Sequence, residues 1–369
     1  MWKESTKILA VTVAIFFFTN SLSGAFLPIY LKDSGLSILD IIVVLFFTFL
    51  VIGLLPIVLM RVTKHFERII SFSILFTLLF YIALIYVKNP VFLGLAYGLG
   101  IATFWPSFNL LLFRLSDASE RAVMISLLSV AIPSITGIIS PAVGGFVIET
   151  FGFTNLFAAS ILLYLVAFIA SLKIRYKPEA QKFSIPKSRM FTIFLLTFVL
   201  FGMSESYWLA YPLFVFSVSS TILNMGFVVA ASALLISIIT VGIGKISDVK
   251  RTRVEFTMAS AILYALWYFV LTQVSSMIEI VALSLLSGFA SAFALSWFAF
   301  YGDSFKRKYH ASILVMMEVG LMVGRILNLV PTYFFVTTYD YTHYFVVLGV
   351  VSILLIPLFI LSRNYIKNS

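Results

Sequence analysis

Residues 37–68 read SILDIIVVLFFTFLVIGLLPIVLMRVTKHFER: a Ser-x-x-Asp start, a long apolar run, then a knot of basic residues. A bilayer core about 30 Å thick needs roughly 20 apolar residues in a helix, so this stretch has the length and chemistry of a membrane span. Residues 221–253, TILNMGFVVAASALLISIITVGIGKISDVKRTR, repeat the design. Ser37-Ile38-Leu39-Asp40 answers Thr221-Ile222-Leu223-Asn224, a constant offset of 184 residues that also pairs Phe17 with Phe201, Pro28 with Pro212, Met60 with Gly244 and Lys64 with Asp248. Ser or Thr followed three residues later by Asp or Asn resembles a capping box, which satisfies the free amides where a helix enters the bilayer. Both copies enter from the same side, so the repeat is parallel.

Working outward, the composition leaves little room for another class. Of 369 residues, 62% are hydrophobic and 11% charged, with a mean hydropathy of +1.10. Soluble domains run about 25% charged, and a chain this apolar cannot hide its surface in one or two water-soluble cores. Apolar runs fall near 8–31, 38–60, 69–87, 91–113, 122–148 and 154–172, then near 191–216, 224–246, 255–274, 277–300, 311–337 and 342–361. These are spans one to twelve. The first follows Lys3 and Lys7 but stays apolar to Leu31, longer than the hydrophobic core of a cleaved signal peptide.

The net charge of +10 matters through its placement. Of the 25 Lys and Arg residues, 22 fall in alternate loops and termini on one side, two (Lys32 and Lys88) on the other, and Arg325 lies inside a span. By the positive-inside rule both termini are expected to be cytoplasmic, in an all-α multi-pass protein of the cell membrane. The most polar stretch, 173–190, holds Pro178, Pro186 and six basic residues. It is read as a cytoplasmic linker near anionic headgroups, between six-span units at 1–172 and 191–369.

Two parallel six-helix bundles are the arrangement of the major facilitator fold, and several motifs resemble that superfamily. Gly244-Lys245-Ile246-Ser247-Asp248, followed by Lys250, Arg251 and Arg253, is similar to its G-x-x-x-D-basic loop. The family carries that loop mainly between spans two and three. Here the first-half loop has Met60 for Gly and Lys64 for Asp, and the second-half loop keeps the pattern. Ser116-Asp117-Ala118-Ser119-Glu120-Arg121 resembles the loop before span five, echoed by Asp303, Lys306 and Arg307. Ser140-Pro141-Ala142-Val143-Gly144-Gly145 resembles the G-P-x-x-G-G element of the drug and metabolite antiporter branches, with Ser for the first Gly. The resemblance implies conformational gating by Gly244, Asp248, Arg251, Asp117, Arg121, Pro141, Gly144 and Gly145. The glycines and Pro141 equally suit a close, bendable helix contact, and Asp248 equally suits a surface ion pair.

Buried ionisable groups cost about 2.5–3.5 kcal/mol each on insertion scales, so those inside spans call for a role. Glu205 in span seven and Arg325 in span eleven sit at similar depth, and the family's packing places those spans side by side. Their pairing is expected, either as a proton-coupling pair, as a substrate contact or as a structural ion pair. Glu318 shares Arg325's face about 10 Å nearer the cytoplasm and is expected to be structural, bonded to a loop arginine. The family's cavity is lined by spans one, four, seven and ten, which nominates Asn20, Trp105, Asn109, Tyr207, Trp208, Trp297 and Tyr301. Trp105 with Asn109 and Trp297 with Tyr301 are i, i+4 pairs on one helix face. Asn20 is neutral where many proton-driven exporters carry an acid, which weighs against antiport.

There is no H-E-x-x-H, no phosphate-binding loop and no cysteine, and His65, His310 and His343 fall in or beside loops. No enzyme activity, cofactor, metal or nucleic acid is expected. The resemblance implies a monomeric secondary transporter working by alternating access on a small-molecule substrate, in contact with membrane lipid and with protons as coupling ion. Export of an amphipathic compound or metabolite is the first expectation. Solute uptake by symport or facilitated diffusion is the second, and a non-transporting sensor the third.

Overall fold

The helix starts marked in the sequence are built as written. In the computed structural model Ser37 Oγ accepts from the Asp40 amide at 3.1 Å while Asp40 accepts from the Ser37 amide at 2.9 Å, a reciprocal cap. At the repeat position Thr221 Oγ1 accepts from the Asn224 amide at 3.2 Å. A further reciprocal cap, Ser276 with Glu279, opens span ten. The structure describes residues 4–115, 127–175, 183–250, 253–306 and 309–367; the side chains of 113–114, 240–250, 253, 292–293, 295–303, 310–311 and 365–367 are outside that description.

Among the described residues eleven helical segments are long and apolar enough to cross a membrane, and the apolar stretch Met277–Ser291 opens the helix Met277–Ser304 that stands at the position of span ten. The chain is an all-helical, multi-pass membrane protein. It divides into two compact units, Met1–Gln181 with Ser220–Ala230, and Lys182–Ser219 with Ala231–Ser369.

Inside the first unit span one packs on spans five and six, span three on four and six, and span two on four. The second unit repeats this: span seven packs on eleven and twelve, and span nine on ten and twelve. Span eight meets span ten at Gly288, where an added Cβ would stand 3.1 Å from Ile236 Cα. The offset read in the sequence is therefore an offset in packing.

Two spans differ from the continuous helices expected. Span one is Glu4–Gly24 followed by a separate short helix, Leu27–Asp33. Span seven is Arg189–Glu205 followed by Ala210–Ser219. The cause is the proline pair already visible in the repeat. A proline ring clashes with the carbonyl four residues earlier and cannot donate to it, which puts the disturbance of Pro28 at Gly24 and that of Pro212 at Trp208. The helix of span eight runs to Lys250, so the stretch expected as a loop around Gly244 and Asp248 is helical. Spans five and six are joined by Gly152 alone, at φ +84°, a conformation open to glycine and strained for other residues.

Candidate functional site

The break in span seven leaves backbone groups without helical partners, and in hydrocarbon each of these must be met from elsewhere. The Tyr207 amide folds back to Glu205 O at 2.9 Å. Ser206 O accepts from Asn328 Nδ2 at 2.8 Å and from the Tyr344 hydroxyl at 2.9 Å. Ser204 O accepts from the Tyr268 hydroxyl, and Ser204 Oγ lies 2.6 Å from Ser352 Oγ. Spans nine, eleven and twelve thus each send a polar group to hold the break open. Asn328 is 1% exposed, and its Oδ1 has no hydrogen-bond partner among the described residues. Its orientation is fixed, because a flipped amide would set Oδ1 against the Ser206 carbonyl.

Glu205 is the last helical residue before this break. Arg325 Nε donates to Glu205 Oε1 at 2.7 Å and Nη2 donates to the same oxygen. Arg325 Nη1 lies 3.6 Å from Glu318 Oε2, an ion-pair distance rather than a hydrogen bond. The Trp208 ring, just past Glu205, faces the guanidinium with its centroid 5.4 Å from Cζ. The Arg325 side chain is 9% exposed, Glu205 27% and Glu318 26%. With both acids ionised the cluster carries a formal charge of −1; one proton makes it neutral.

The placement of Glu318 differs from the expected bond to a loop arginine. Residues seven apart share a helix face, and two long side chains leaning together close the two turns between them.

Packing explains how Arg325 reaches Glu205. Gly320 and Gly324 lie about one turn apart on the face of span eleven that meets span seven: a Cβ on Gly324 would meet Val199 O and stand 2.7 Å from Met203 N, and one on Gly320 would stand 2.9 Å from Phe198 Cβ. Across the contact, a Cβ on Gly202 would meet Leu321 O. Small residues four apart let two helix backbones touch. This G-x-x-x-G signal is plain in the sequence beside Arg325, and it is what sequence reasoning missed, together with Asn328, Tyr268 and Tyr344. Tyr207 sits in an aromatic group with Tyr211 and Trp267, both at 5.6 Å between ring centroids.

In the first unit Asn20 is half-buried. Trp105 is 45% exposed and packs on Phe17 at 5.8 Å and Phe108 at 6.2 Å, and Asn109 is exposed one turn further on. The element 140–145 makes close contacts within this unit. A Cβ on Gly144 would meet Leu22 O, one on Gly145 would stand 2.9 Å from Ile222 O, and one on Gly226 would stand 2.6 Å from Pro141 O. The Trp297, Tyr301, Gly244 and Asp248 positions are helical, with side chains outside the description, while Asp117, Arg121 and Arg251 lie outside the described residues. Among the described residues no three His, Asp or Glu side chains gather as a metal site.

Comparison with known proteins agrees with this architecture. The model of the Major Facilitator Superfamily matches residues 9–192. The uncharacterized protein YqgE of Bacillus subtilis (strain 168) is 27% identical over 185 residues, an alignment covering 45% of this chain and 41% of that protein. The shared stretch is thus under half of the relative's length. A solved structure, the in meso crystal structure of the POT family transporter PepTSo, superposes with a TM-score of 0.82 over 100% of this chain and 99% of that one, at 10% identity. At that identity the likeness is one of fold. The family match across spans one to six and the shared fold across the whole chain make this a member of the Major Facilitator Superfamily.

Proposed function

We propose that the chain is a proton-coupled secondary transporter working by alternating access, and that the Glu205–Arg325–Glu318 cluster is its coupling site. The observation that carries this reading is the surplus carboxylate: two acids share one guanidinium beside a helix break inside a span. One acid suffices to neutralise Arg325, so the other has reason to hold a proton. Taking up that proton moves the cluster from −1 to 0 and loosens one arm of the Arg325 bridge; releasing it restores the bridge. Trp208 on the guanidinium makes the state of that bridge felt at the start of the second helical piece of span seven. The fold and the absence of enzyme motifs support a transporter over a membrane enzyme.

Export of a small amphipathic compound is the preferred direction. It rests on the 140–145 element, whose glycines make the close contacts that a flexing helix pair needs. Solute uptake is the competing reading, favoured by neutral Asn20 in span one. The test is proton movement in sealed liposomes under an imposed pH gradient, with lipophilic cations, sugars, amino acids and organic acids offered in turn. A compound class that dissipates the gradient with the wild type, and fails to with Glu205→Gln and with Glu318→Gln, supports the coupling site. Labelled solute that equilibrates without proton movement makes the protein a uniporter and the cluster structural. Silence in both assays turns the reading towards a sensor.

A further inference from the structure

In the first unit the ends of spans three and six frame a groove of about 440 Å³, inside the roughly 300–1,000 Å³ range of small-molecule sites. Its lining is mixed. Phe72, Phe168 and Leu172 are apolar, with Phe72 49% and Leu172 61% exposed. Arg68 and Arg175 are cationic, both exposed, and neither has an ion-pair partner among the described residues. Glu67, also in the lining, is 11% exposed, with Oε1 3.0 Å from His65 Nδ1. The Ser171 hydroxyl donates to Ser71 Oγ at 2.8 Å where the two helices meet. The Arg175 amide donates to Ser5 Oγ at 3.2 Å, tying the chain after span six back to span one.

Two arginines and one glutamate in the lining give the groove a formal charge of +1. That matches one phosphodiester. A soluble phosphate would leave the apolar residues unused, whereas a lipid chain would cover them. The groove also lies at the ends of spans three and six that face the Lys- and Arg-rich side of the chain, where a cytoplasmic leaflet presents anionic headgroups. We propose that it binds an anionic phospholipid with a single phosphodiester and an uncharged headgroup. The guanidinium groups of Arg68 and Arg175 hold phosphate oxygens as a fork, and the first acyl segments lie along Phe72, Phe168 and Leu172. Glu67 keeps the site from accepting a more highly charged headgroup. Bound lipid then pins Arg175, at the head of the linker, to span three.

Native mass spectrometry of the delipidated full chain tests this, with phosphatidylglycerol, phosphatidylethanolamine and soluble glycerol phosphate as probes. Phosphatidylglycerol is expected to bind at least ten-fold more tightly than phosphatidylethanolamine. The preference should vanish in the double variant R68Q/R175Q. Leu172→Glu, at an exposed position that leaves the helix contacts intact, should lower phosphatidylglycerol binding as well. Equal binding of the two lipids, or binding unchanged in both variants, overturns the proposal. Glycerol phosphate that competes as well as the lipid makes this a free-phosphate site and overturns the lipid assignment.

Discussion

Spans one and five in the first unit and spans seven and eleven in the second make the same contact with opposite chemistry. In the first, Gly144 closes on the Leu22 carbonyl. In the second, the residues 184 positions on are Asn328 and Ser206, and the closure is a 2.8 Å hydrogen bond. Ser21 stands where the second half has Glu205, Pro141 where it has Arg325 and Ser134 where it has Glu318. Both halves bring helix backbones close at this contact. The second alone adds a charged cluster that only buried pairing makes tolerable. A repeated fold fixes where helices touch, and the side chains at the touching point decide whether the contact is a joint or a site.

Removing the guanidinium should separate the halves most sharply. Arg325→Gln leaves two acids without their partner and is expected to cost about 3–5 kcal/mol. Its counterpart Pro141→Ala should shift stability by far less, both being read as thermal unfolding in detergent.

Next come the glycines at the two contacts. Gly324→Leu pushes spans seven and eleven apart and should cost about 1–3 kcal/mol. It should also abolish proton-coupled flux, by parting Glu205 from Arg325. Gly144→Leu should cost a similar amount in stability while leaving proton binding by the cluster unchanged. If both glycine variants affect proton binding alike, the asymmetry between the halves fails.

Asn328→Leu removes one of two donors to Ser206 O. The Tyr344 hydroxyl remains, so the loss should sit at the low end of the roughly 1–3 kcal/mol for a buried polar group left short of a partner. The smallest effect belongs to Trp208→Leu, which deletes a cation–π contact of about 0.5–2 kcal/mol. It should alter the substrate dependence of transport more than the melting temperature.

The fold was legible because its signals are long and redundant: apolar runs of bilayer length, an alternating basic charge and a register that survives from Phe17 to Lys64. The residues of the ion pair were legible too, since Glu205 and Arg325 stand out inside apolar spans. The breaks are not legible from Pro28 and Pro212 alone, because proline in a membrane helix is often absorbed without one. The approach of Glu318 to Arg325 is not legible from their separation along the helix axis, because the reach of the two side chains closes it. Asn328, Tyr268 and Tyr344 carry no pattern of their own. They matter through a carbonyl at Ser206 that becomes available only once the helix breaks.

The most direct test is to count the protons bound inside the spans, by infrared difference spectroscopy of the carboxylic acid carbonyl stretch between alkaline and acidic pH. The account predicts one acid that gains a proton in the wild type and whose band is lost in Glu205→Gln and in Glu318→Gln, since either change leaves one carboxylate for one guanidinium. A wild-type band that persists unchanged in both variants would contradict it.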